Sequence, residues 1–145
     1  MTPEETEHAV EHKLQWLQGT PQQRTTALNG LTAAPIPDPR LLARCEELLE
    51  DRTIALQGVP FTFGEVRWVA AAAVAALRGV LNISVPVVIL DAFPAVSGGK
   101  AIQLIREAGV EKASGPDGTI AALEVLAKMD RLPRRTITRW PGEPV

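Results

Sequence analysis

The chain has a single cysteine, no tyrosine, only two histidines, and aromatic residues at 4% of its length. One cysteine, Cys45, excludes an intramolecular disulfide and fits a reducing, cytoplasmic setting. Two histidines, His8 and His12, are too few for a three-imidazole metal site. Charge of one sign is lacking too: 15 Lys and Arg stand against 17 Asp and Glu, a formal net charge of −2. That balance gives no reason to expect a nucleic-acid partner. No long apolar run is present. The longest, between Arg67 and Arg78, is about ten residues, well short of the ~20 needed to cross a bilayer. The opening MTPEETEHAVEH is acidic and polar and is not a signal peptide. The expectation is a soluble, cytoplasmic protein with no membrane partner.

What is present is globular. Hydrophobic residues make up 46% and charged residues 22% of 145 positions, enough for one domain with a real core. Residues 1–145 read as one helical domain, with 132–145 as a tail. The first part of the chain is acidic, and the rest is mildly basic.

The most informative segment is 64–82, GEVRWVAAAAVAALRGVLN. Alanine has the best helix propensity, so this segment should be helical. From Trp68 to Leu77 every residue is apolar, which places the helix centrally with neighbours on several sides. Ala73 and Ala76 should have little room around them.

Other helices carry start signals. Thr2-Pro3-Glu4-Glu5 opens the first, with Thr2 as cap, Pro3 in the first turn and Glu5 completing a capping box. Gly19 ends it. Thr20-Pro21-Gln22-Gln23 starts a second helix by the same device, and Asp38-Pro39 a third. In the third, Leu41, Leu42, Cys45, Leu48 and Leu49 form one stripe, and Arg40, Arg44, Glu47 and Asp51 the opposite face. Residues 53–63, TIALQGVPFTF, read as an extended connector or short hairpin packed by Phe61 and Phe63. Residues 84–93, SVPVVILDAF, read either as a buried strand around 85–90 or as a short helix capped by Ser84. Ser97 caps a helix that Gly109 stops. Residues 114–118 read as a turn before a last helix carrying Ile120, Leu123, Leu126 and Ala127. A short β-like patch falls within 134–140.

Helices two to five read as two copies of one unit. Gln23-Arg24-Thr25-Thr26-Ala27-Leu28 parallels Val66-Arg67-Trp68-Val69-Ala70-Ala71. Asp38-Pro39-Arg40-Leu41-Leu42 parallels Ser84-Val85-Pro86-Val87-Val88. The spacing falls in the ~40–47 residue range of HEAT and armadillo units. With VRWVAAAAVAAL and DPRLLARCEELLED, residues 20–93 resemble the HEAT-repeat family, especially its short bacterial forms. The resemblance implies a small stack of helical hairpins that binds proteins. The segment 53–63 departs from it, because a turn of a few residues should stand there. The fold class is therefore mainly α, either a HEAT-like stack or an irregular helical bundle, with one or two short β segments.

Candidate chemistry is sparse. His8-Ala9-Val10-Glu11-His12 matches the inverted zinc-peptidase pattern H-x-x-E-H. It lies among Glu4, Glu5 and Glu7 with no third histidine, and reads as a solvated acidic face. Ser97-Gly98-Gly99-Lys100 opens a helix after a possible strand and invites a phosphate-loop reading. The P-loop spacing fails, because Pro94 stands where glycine is needed and Ala101 where Ser or Thr is needed. Cys45 sits in the leucine stripe and reads as core. Asp91 follows an apolar run without a partner carboxylate. Arg134, Arg135, Arg139 and Trp140 lack a groove and read as a tail strapped back on the fold. No catalytic residue, metal site or cofactor is expected.

Two functional expectations follow. The first is a non-enzymatic interaction module of adaptor, chaperone-like or immunity-like kind. It would bind one protein partner through Arg40, Arg44, Glu47 and Asp51. The alternative is a small-molecule-binding or enzymatic domain with a pocket near Phe61, Phe63, Trp68, Asp91, Ser97 and Lys100.

Overall fold

A computed structural model describes residues 2–58, 62–85, 90–92, 96–109, 115–128 and 135–137. Helices dominate: α1 (Pro3–Trp16), α2 (Pro21–Ala33), α3 (Pro39–Glu47), α4 (Val66–Val80), α5 (Gly98–Glu107) and α6 (Gly115–Lys128). A 3₁₀ turn, Leu48–Glu50, follows α3. The strands are short: β1 (Ile54–Gly58), β2 (Thr62–Glu65), β3 (Leu90–Ala92), β4 (Val96–Ser97) and β5 (Arg135–Ile137). The protein is mainly α with small antiparallel sheets.

The three caps form as expected, but α1 shows only the Thr2 half of its expected capping box, without the return bond from the Glu5 side chain. Thr2 accepts a hydrogen bond from the Glu5 amide at 3.1 Å. At α2 the capping box is complete: Gln23 N donates to Thr20 Oγ1 and Thr20 N to Gln23 Oε1. A Cβ at Gly19 would run into the Gln23 carboxamide, so glycine there leaves space for the cap. Asp38 caps α3 by accepting from the Arg40 amide at 2.9 Å. Helix α4 starts differently, since its N-cap residue Glu65 makes no side-chain cap. Its first free amides are satisfied by incoming backbone instead: Val66 N donates to Thr53 O and Arg67 N to Asp51 O, both at 2.8 Å, as a helix N-terminus requires. Asn82 closes α4 in the left-handed region, at φ 57°, and Ile83 N reaches back to Arg78 O. Gly109, at φ 71°, follows α5 in the same way.

Helix α4 is the centre of the first core. Ala70, Ala71, Ala73, Val74 and Leu77 are fully buried, and α4 packs against α2 and α3 with Leu28, Leu31, Leu41 and Cys45. The small alanines let these helices approach closely. Ala76, expected to be as confined as Ala73, is only half-buried, on a stripe with Trp68 and Ala72.

The described residues of 53–63 belong to two paired strands, the hairpin reading, and not to an extended connector; residues 59–61 lie outside the described residues. β1 pairs antiparallel with β2, Ile54 opposite Glu65 and Leu56 opposite Phe63, with a bulge before Gly58. β4 adds to the other side of β2, Phe63 opposite Val96. Alternation along β1 then divides the interior. Ala55 faces the first core. Ile54 and Phe63 belong to a second cluster with Ala101, Ile105, Ala122, Leu123 and Leu126 of α5 and α6. Phe63 therefore packs under α5 and α6 and does not cover the alanine-rich helix.

Two boundaries differ from expectation. Within 84–93, Leu90–Ala92 is a strand paired with β5, while residues 86–89 and Phe93 lie outside the described residues. Helix α6 begins at Gly115, inside the expected turn. Pro116 explains this, because proline suits a first helical turn as well as it suits a turn.

Candidate functional site

The charged side chains of the helical layer are organised by three arginines. Arg40 stands in the first turn of α3. Its guanidinium grips Glu7 of α1 with two bonds, Nη1 to Oε1 at 3.0 Å and Nη2 to Oε2 at 2.7 Å. It also donates to both oxygens of Asp38, at 3.1 and 2.9 Å. These bonds to Arg40 hold the Glu7 and Asp38 carboxyls below their usual range and push the guanidinium further up. A lowered carboxylate stabilises the fold above its ordinary pKa, and that contribution fades as pH falls through the lowered value. The Arg40 and Glu7 side chains are each 50% exposed.

Arg44, one turn on, points at the end of α1. Its Nε and Nη2 donate to the Leu17 carbonyl at 3.3 and 3.0 Å, and Nη1 pairs with Glu47 at 2.8 Å. Arg24 of α2 approaches the same turn. It donates to the Gly19 carbonyl at 2.7 Å and pairs with Asp51 at 3.0 Å. Asp51 in turn accepts from the Thr53 amide. Two arginines from different helices thus bind carbonyls of the turn that follows α1, Arg44 at its C-cap and Arg24 two residues on.

Of the expected partner-binding set, Arg40, Arg44 and Glu47 share one side of α3, and Glu47 is the most open. Asp51 is turned toward α2 and is part of the Arg24 tie. Helix α1 extends the surface with exposed Glu4, Glu7 and Glu11, which share one side of the helix; Glu46 is turned instead to Arg78 of α4, at 3.5 Å. The α1–α3 face is therefore predominantly acidic, with Arg40 and Arg44 embedded in it. The sequence does not single out Arg24 and Glu7 as members of this network. Their partners lie far along the chain, so no local spacing marks them.

The alternative pocket set divides. The sheet places Phe63 and Ser97 on adjacent strands, Thr62 opposite Ser97. Phe63 is 1% exposed and committed to the second core. Lys100 is exposed on the first turn of α5, Trp68 is half-buried on α4, and Asp91 lies on β3, in the other sheet. Phe61 lies outside the described residues, as do Arg134, Arg139 and Trp140.

No group of three metal-binding side chains occurs among the described residues. His8 and His12 are both exposed, and the His12 ring lies against Trp16 with centroids 5.4 Å apart. Cys45 is fully buried, and desolvation pushes its thiol up to about 12; a nucleophilic thiol needs the opposite shift. No described helix is long and apolar enough to cross a membrane. Comparison with protein-family models, with curated proteins and with solved structures finds no match to this chain.

Proposed function

We propose that this chain is a non-enzymatic interaction module that binds one macromolecular partner through the charged face of α1 and α3. The observation that carries the reading is the fixed arrangement of that face. Arg40 locks Glu7 of one helix to Asp38 at the cap of another, at distances from 2.7 to 3.1 Å. Charges held in place before binding lose less freedom on binding. The surrounding glutamates make a basic partner surface the complement, which favours association rate and specificity over raw affinity. The resemblance to short HEAT-repeat proteins supports the same reading, since such stacks recognise proteins by exposed helix surfaces.

The test uses exposed glutamates that take no part in the Arg40 lock. Glu11→Lys combined with Glu47→Lys reverses charge at two exposed positions and should leave the melting temperature nearly unchanged. The parent should retain a specific partner from native lysate at low salt and lose it as salt rises. The double variant should fail to retain it. If parent and variant retain the same protein equally, the face is wrong. If the parent retains nothing, while a metabolite screen by thermal shift finds a stabilising ligand, the module reading fails.

A further inference from the structure

We propose that α5 and α6 open together, as one cooperative unit that comes away from the β1–β2 hairpin, while α1–α4 stay folded. The inference is independent of the partner-binding reading.

Three observations carry it. First, the buried side chains of the described residues form two clusters instead of one. The larger runs through α1–α4. The smaller joins Ala101, Ile105, Ala122, Leu123 and Leu126 to the hairpin residues Ile54 and Phe63. Cooperativity follows contiguous packing, so separate clusters are separate candidates for opening.

Second, the hairpin is fastened to the larger cluster. Gln22 Nε2 and Asn29 Nδ2 of α2 donate to the carbonyls of Leu56 and Gln57, at 3.4 and 3.3 Å. Val66 N, the first amide of α4, bonds Thr53 O just before β1. Ala55 is buried in the first core. When the smaller cluster comes apart, the hairpin stays with α2 and α4.

Third, among the described residues the link from the α5 side to the hairpin ladder is short. There β4 contributes Val96 and Ser97, opposite Phe63 and Thr62. Helix α5 follows β4 without a break and packs on α6, so the two helices move as one. Opening breaks that short ladder and the contacts around Phe63, and leaves the first core intact. It also uncovers the apolar side of the hairpin formed by Ile54, Leu56 and Phe63.

Native-state hydrogen exchange read by mass spectrometry, at a series of sub-denaturing urea concentrations, tests this. Peptides covering Gly98–Glu107 and Gly115–Lys128 should exchange with one common opening, faster than peptides of α2 and α4. Leu28→Ala removes a fully buried side chain of the larger cluster. It weakens the closed and the partly open forms alike, so it should speed exchange in α2 and α4 by roughly thirtyfold or more and leave α5 and α6 unchanged within about twofold. Val74→Ala, a smaller deletion in the same cluster, should give the same pattern and replaces Leu28→Ala where that variant does not fold. A single opening shared by all the helices of the parent overturns the proposal. So does equal acceleration of α5 and α6 in the larger-cluster variant.

Discussion

Cys45 shows how a residue with reactive chemistry becomes part of a core. Its place among Leu41, Leu42 and Leu48 is legible from helical spacing alone, and its full burial agrees. Burial raises the thiol from 9.0 to about 12, so between those pH values the unfolded chain ionises and the folded chain does not. The unfolded state then binds fewer protons, and stability falls as pH rises through that window, by up to about 1.4 kcal/mol per unit. Urea melts at pH 9, 10 and 11 should show this slope, and Cys45→Ala should flatten it while lowering stability overall. Thr25 is the opposite case, since nothing in the sequence marks it. It is 0% exposed on α2, and its hydroxyl has no hydrogen-bond partner among the described residues. A buried polar group left unbonded costs about 1–3 kcal/mol. Thr25→Val keeps the shape and removes the hydroxyl, so it should raise stability by about 1 kcal/mol. An unchanged or lower melting temperature would show that the hydroxyl is satisfied in solution.

At the scale of elements, the helices are legible because their signals are local. Thr20 with Gln23, Asp38 with Pro39, and the alanine run each act within a few turns. Composition alone places the alanine-rich helix centrally, and its contacts with α2 and α3 agree. Ala73→Leu on that helix should overpack the core and destabilise by about 1–3 kcal/mol; a chemical-denaturation midpoint equal to the parent's would contradict the close approach of α2 and α3. The same substitution at Ala76, on the half-buried side, should be milder. The β elements are less legible. A two-residue strand such as β4 has no periodicity to detect, and β3 and β5 pair across a long stretch of chain, Leu90 opposite Ile137. Helical spacing shows which side of α3 is polar, but not whether that side is free. The ties of Arg40 to α1 and of Arg44 to the Leu17 carbonyl depend on tertiary packing. Reversing those arginines would therefore disturb the fold as well as the surface, and Glu11 and Glu47 are better probes.

The molecule as a whole is held together where the sheet hands over to α4. Glu65 ends β2, Arg67 lies in the first turn of α4, and their side chains are 2% and 7% exposed with 3.6 Å between Glu65 Oε1 and Arg67 Nε. The apolar run in α4 is visible in the sequence, but it does not announce a buried ion pair at its junction with β2. A cation in the first turn opposes the helix dipole, so the neighbouring carboxylate offsets a real penalty. Arg67 N also bonds the Asp51 carbonyl, and Asp51 pairs with Arg24, so this junction connects the hairpin, α2 and α4. Removing one partner of a buried pair takes the counter-charge from the other, at a cost of about 3–5 kcal/mol. Arg67→Met should therefore destabilise by that amount. Adding Glu65→Gln to Arg67→Met removes the remaining buried charge and should recover part of the loss, giving a non-additive double-mutant cycle. Urea denaturation of the four proteins measures it. Additive effects, or a loss below about 1 kcal/mol in Arg67→Met, would show that backbone pairing and the apolar contacts of β1 and α4 hold this junction without the charges.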